Sequence, residues 1–269
     1  MQNVWTMHPL DGAKARLIRA EKHIGDLKAE ISTFFLSEPY EVVADKDHQT
    51  GQPFYKLTCL REIPVNAQIL AGDAIYNIRS ALDYLAYALA TDKSSPNDIW
   101  FPIEGCADNY RSVVEKRIRC SRPEVVKAIC EIEAHKDGRG HVFWALNKLN
   151  NIHKHRLLVA VYSGVYDYSI TPSFRRKIKR TWEGDGPSVP EGHGFMRIER
   201  SPDEAFRPLQ VGDKLFTDLP GSEIYDDMKF RFQIVFGESG IAEGDPLFET
   251  TVQMLSRVSD VVDRLGVFL

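Results

Sequence analysis

Residues 66 to 91 set Ile69, Leu70, Ile75, Ile78, Leu82, Leu85 and Leu89 at helical steps, and into that apolar frame the chain inserts Asn77, Arg79, Asp83, Tyr84 and Tyr87. The spacing predicts a long core helix, stopped by Thr91-Asp92-Lys93-Ser94-Ser95-Pro96. A buried arginine or aspartate costs several kcal/mol unless it is paired. The polar residues of Gly72 to Tyr87 are therefore either a satisfied internal network or the wall of a site. Asp73, Asn77, Ser80, Tyr84 and Tyr87 fall at three- and four-residue steps, a polar stripe beside the apolar one. Arg79 and Asp83, four apart, can pair along the surface of the helix.

The rest of the chain arranges itself around this helix. Before it, Asp11 to Leu36 carries Leu17, Ile18, Ile24, Leu27, Ile31, Phe34 and Phe35 at helical spacing. Tyr40 to Ala44 and Phe54 to Leu60 then read as a hairpin around the polar turn 47–53. After it, Trp100-Phe101-Pro102-Ile103 is a short extended apolar plug, because the residue before a proline avoids the helical region. Shorter helices follow at 109–119, 123–134 and 141–153, and then β-rich runs at 157–162, 166–170, 175–182, 194–198, 214–217 and 229–236. Residues 184–192 read as a surface loop. Phe248 to Leu265 closes the chain as an amphipathic helix packed on the sheet or on a partner. The fold class expected is α+β, with an N-terminal helical bundle holding an inserted hairpin near 40–60, then a mostly antiparallel sheet and a C-terminal helix. In sequence order this divides into a helical region, 1–156, and a β-rich region, 157–269.

Composition excludes more than it assigns. With 269 residues, 43% of them hydrophobic, the chain can bury a core of one large domain or two small ones. No apolar run approaches a membrane span, and the N-terminus lacks the order of a secretory signal, so the expectation is a cytoplasmic protein with no membrane partner. A net charge of −4 gives no global pull toward a polyanion, which leaves only local basic patches. Cys59, Cys106, Cys120 and Cys130 lack paired metal-site spacing and read as reduced, structural thiols. No cofactor is expected, since no Gly-rich phosphate loop, nucleophile elbow or zinc-protease motif occurs.

A second polar constellation runs Asn147-Lys148-Leu149-Asn150-Asn151-Ile152-His153-Lys154-His155-Arg156 at a helix-to-strand junction. In a helix His153 and His155 point about 200° apart and cannot share a ligand, whereas in a strand they lie on one face. A metal site would need that strand and a third ligand from His135, His141 or Asp83, so no metal is expected. Farther on, Arg175 to Arg180 is the densest positive run, explained equally by a nucleic-acid groove and by an exposed strand face.

The two stretches Gly72-Asp73-Ala74-Ile75-Tyr76-Asn77-Ile78-Arg79-Ser80-Ala81-Leu82-Asp83-Tyr84-Leu85 and Leu149 to Leu158 resemble a family of uncharacterised bacterial proteins that carries both motifs. That resemblance brings no activity with it. The first helix of the pair also resembles the HEPN helical domains (higher eukaryote and prokaryote nucleotide-binding), whose arginine-to-histidine motif marks metal-independent RNases acting as dimers. Arg79 matches that motif, but Tyr84 stands where its histidine would be. The HEPN resemblance implies a homodimer acting on RNA or another phosphate-containing ligand. In it Arg79 would stabilise phosphate charge, Asn77 would orient it, and Tyr84, His153 or His155 would move the proton. The rival expectation is a noncatalytic binding or interaction protein in which Arg79, Asn77, Asp83, Asn151, His153, Lys154 and Arg156 form one polar network between helices. This second reading is favoured, and both require the two constellations to meet in space.

Overall fold

The structure, a computed structural model, describes residues 8–120, 122–156, 159–169, 195–197, 208–218 and 228–269. Its order is α1 (Asp11–Leu36), β1 (Tyr40–Lys46), β2 (Pro53–Leu60), α2 (Val65–Leu89), a short 3-10 turn (Pro96–Asp98), α3 (Tyr110–Ile118), α4 (Pro123–Cys130), α5 (His141–Arg156), β3 (Val161–Ser169), β4 (Phe195–Arg197), β5 (Lys214–Thr217), β6 (Lys229–Phe236) and α6 (Leu247–Gly266). The class is α+β, with N-terminal helices, a hairpin and a C-terminal helix. The expected strand at 175–182, with its positive run, and the loop at 184–192 lie outside the described residues. Among the described residues no helix is long and apolar enough to cross a membrane.

Division at residue 156 follows chain order, whereas in space the chain interleaves two compact units. The first comprises Met1–Ser32, Pro64–Ala160 and Phe236–Leu269, and the second Thr33–Ile63 and Val161–Val235. In the first, α2 is the axis. Ile75, Ile78, Leu82, Leu85 and Leu89 are fully buried, and Ala67, Ala71, Gly72, Ala74 and Ala81 line it with small side chains that let neighbouring helices approach closely. A helix apolar on most sides must be covered on most sides. Accordingly α5 and α6 both pack on α2. The apolar stripe of α6, Met254, Val258, Val261, Val262 and Leu265, is buried there. Its cover is thus α2, with α4 and α5 beside it, rather than a sheet or a second chain, because periodicity marks an apolar face without naming what meets it. Tyr110 to Ile118 and Pro123 to Cys130 form two shorter helices, the second ending earlier than its apolar spacing suggests, with Glu133 at a φ of 52° in the turn that follows.

In the second unit the strands form two three-stranded sheets, β1-β2-β5 and β4-β3-β6, instead of one run of five or six. The pairs β1–β2, β2–β5 and β3–β4 are antiparallel. Residues 161–169 are one continuous strand where the sequence suggests two. The hairpin turn is built by Asp47, whose Oδ1 accepts from the amides of Gln49 and Thr50 at 2.9 Å each, and by Gly51 at a φ of 68°. Tyr40 stacks on Phe232 with ring centroids 4.0 Å apart, and its hydroxyl donates to Ser163 Oγ at 2.8 Å.

Burial of this phenol, only partly offset by the Ser163 hydrogen bond, pushes its pKa up to about 12. A folded pKa raised above the unfolded one favours the neutral form. Its contribution is full below the ordinary tyrosine range near ~10 and disappears as pH rises through about 12. A difference absorbance titration of wild type against Tyr40→Phe is expected to isolate one late-ionising phenol. If the missing component titrates with the ordinary tyrosines, Tyr40 is not shielded as described.

Candidate functional site

The polar residues of α2 and α5 meet within the first unit. The closest approach is at Gly72, where an added Cβ would stand 2.1 Å from Nδ1 of His153. Only a glycine lets the imidazole lie against the α2 backbone at that point. The next residue, Asp73, brings Oδ1 to 3.8 Å from His153 Nε2, while His153 Nδ1 is buried with no hydrogen-bond partner.

Two turns along, Arg79 is only 7% exposed, and each of its three nitrogens is engaged. Nε donates to Asn147 Oδ1 of α5 at 2.9 Å, one terminal nitrogen to Asp83 Oδ1 at 2.5 Å and the other to the carbonyl of Phe101 at 3.3 Å. Asp83 Oδ1 also accepts the amide of Phe101 at 3.0 Å. The plug at Trp100-Phe101-Pro102 is thus held by both polar groups of one residue, while the Phe101 ring is fully buried. An ion pair that reads along the helix as a surface contact is instead half-internal, with Asp83 40% exposed and Arg79 inside.

Beside this network is a cavity of about 320 Å³. Its polar wall is Arg79, Asp83, Asn147, Asn150, Asn151 and Lys154. Its apolar wall is Trp100, Phe101 and Ile103. Asn147, Asn150, Asn151 and Lys154 share one face of α5, the face a spacing of three and four residues predicts. Asn150 is 2% exposed, and its Oδ1 has no hydrogen-bond partner. The Arg117 guanidinium lies 3.5 Å from the Trp100 ring centroid, a cation–π contact that helps hold the ring.

Other expected residues go elsewhere. Asn77, also buried, donates through Nδ2 to the Asp73 carbonyl at 2.8 Å and accepts through Oδ1 from Arg16 of α1 at 3.2 Å. Tyr84 packs its ring against Gly12, where a Cβ would come within 2.4 Å of it, and its hydroxyl accepts from Arg16. That hydrogen bond, ahead of the opposing desolvation, raises the Arg16 pKa. So Arg79 with Asp83 faces α5, His153 faces Gly72, and Asn77 with Tyr84 faces α1. His155 and Arg156 lie in the last turn of α5, with their side chains outside the described residues. Since 153 and 155 are helical, their positions are about 200° apart. No group of three or more His, Cys, Asp and Glu among the described residues could hold a metal ion.

Arg16 and the backbone of Phe101 escaped the sequence reading. Arg16 has no spacing signal, being one of many charges on α1, and a backbone acceptor is the same at every residue. The asparagines at 147 and 150 carried a signal, since asparagine is a weak helix former and a pair of them on one face asks for a reason. No known protein family, curated protein or solved structure matches the chain.

Gly72→Ala is expected to destabilise the protein by about 2 kcal/mol in urea unfolding through overpacking, although alanine alone in a helix would favour it by roughly 1 kcal/mol. In a His153→Ala background the same change should be neutral or stabilising. An equal loss in both backgrounds would remove the close approach as the cause.

Proposed function

We propose that the chain is a noncatalytic binding protein in which the Arg79–Asp83–Asn147–Phe101 network holds α2, α5 and the apolar plug together, and the cavity beside it takes a small polar ligand. The observation that carries this reading is the engagement of Arg79 by protein acceptors at each of its three nitrogens. A guanidinium that must stabilise a transferring phosphate needs its donors aimed outward, whereas here three of the five N–H groups, one on each nitrogen, already donate to protein acceptors. Distribution of the other residues supports it as well. Tyr84, which stands in for the missing histidine in the HEPN-like alternative, is bound to Arg16 on the α1 side, and the carboxylate of Asp83 sits on the Arg79 guanidinium. The cavity has the mixed walls of a ligand pocket, apolar surface with a few converging polar groups.

The test compares wild type with Arg79→Ala. The expected result is a loss of roughly 2 kcal/mol of stability, since Asp83 and Asn147 lose their partner. Wild type should neither cleave structured or single-stranded RNA without metal nor bind it in a salt-sensitive way. RNA cleavage that disappears in Arg79→Ala while the fold persists would overturn this reading in favour of a HEPN-like ribonuclease working as a homodimer.

A further inference from the structure

The walls of the α2–α5 cavity carry both signs of charge, and that restricts what can enter. Asp83 uses Oδ1 for Arg79 and for the Phe101 amide, and its Oδ2 makes no hydrogen bond among the described residues. It therefore offers one carboxylate oxygen to a donor. Asn150 offers a second acceptor, an Oδ1 that is buried and without a partner. A buried acceptor of this kind costs about 1–3 kcal/mol unless something donates to it. Opposite in sign is Lys154, an exposed ammonium on the next turn of α5 that also lines the cavity and lies 5.4 Å from the Tyr76 ring centroid. A bare anion such as phosphate would have to face Asp83. A bare amine would have to face Lys154 and Arg79. A molecule carrying an ammonium and a carboxylate on one carbon faces neither penalty.

We propose that this cavity binds a free α-amino acid with an apolar side chain, its ammonium donating to Asp83 and Asn150 and its carboxylate drawn to Lys154. The inference rests on the binding reading above and names its ligand class. Three further observations fit it. The remaining wall, Trp100 and Ile103, is apolar and suits an aliphatic or aromatic side chain, and the Arg117 guanidinium stacked on Trp100 helps hold that ring. The volume, about 320 Å³, stands at the small end of the roughly 300–1,000 Å³ typical of ligand sites, which suits a single amino acid better than a larger metabolite. The walls are also prearranged, because the network pins Phe101 from both of its backbone groups, so little ordering cost falls on binding.

The experiment is isothermal titration calorimetry on the full chain. L-leucine and L-phenylalanine are compared with their halves: 3-methylbutylamine and phenethylamine, which lack the carboxylate, and 4-methylpentanoate and 3-phenylpropanoate, which lack the amine. Each amino acid should bind at least tenfold more tightly than either of its halves. Lys154→Met, an exposed change that leaves the network intact, should weaken amino-acid binding about tenfold without weakening the amines. Halves that bind as well as the whole, or a Lys154→Met protein that binds amino acids normally, would overturn the proposal. Inorganic phosphate, citrate and D-ribose are titrated alongside. Binding of one of these with no binding of the amino acids sinks the ligand class and leaves the binding reading standing, whereas no heat from any probe counts against both.

Discussion

A guanidinium placed among helices has to have its donors answered on all sides, and Arg79 finds its answers on three separate pieces of chain. Asp83 comes from the same helix, Asn147 from α5, and the Phe101 carbonyl from the connection between α2 and α3. Each acceptor alone is a modest interaction. Their joint effect is positional, because one planar fork sets the register of α5 against α2 and the place of Phe101 at once. The apolar burial around α2 supplies the driving force for packing these elements, but burial is indifferent to small shifts along a helix. The fork is not.

From this follow the location and the character of the cavity. At Gly72 the His153 ring lies against the α2 backbone, and beside Arg79 the gap is lined by Phe101 and by Asn147, Asn150 and Asn151. Asp83 and Asn147, which satisfy Arg79, line the gap together with Asn150, whose buried Oδ1 has no partner. Arg79 and Asp83 persist in a helix otherwise given over to burial because α5 and the plug answer them.

Much of the fold was legible because apolar spacing is a local signal. α1 runs from Asp11 to Leu36 as its periodicity states, and the hairpin and α6 lie within a residue or two of their predicted bounds. Pairing was not legible, because it is decided far along the chain. Lys214–Thr217 joins the hairpin strand β2 and not β3, and nothing in a four-residue run distinguishes the two. In the site, the meeting of the two constellations and the Arg79–Asp83 pair could be read from charge and spacing. Gly72's purpose could not, since a glycine within a helix signals a close approach without naming the ring that makes it, and Phe101 contributes through backbone atoms that carry no mark in a sequence.

The claim on which all of this depends is that Arg79 ties α5 to α2 through Asn147. A double-mutant cycle on Arg79→Met and Asn147→Leu, followed by urea unfolding, isolates that tie from the separate costs of each change. The structure predicts a coupling of about 1–2 kcal/mol, the size of a hydrogen bond to a charged group inside a protein. Two losses that add to within about 0.5 kcal/mol would mean that the residues act independently, and the network would not be what holds the two helices in register.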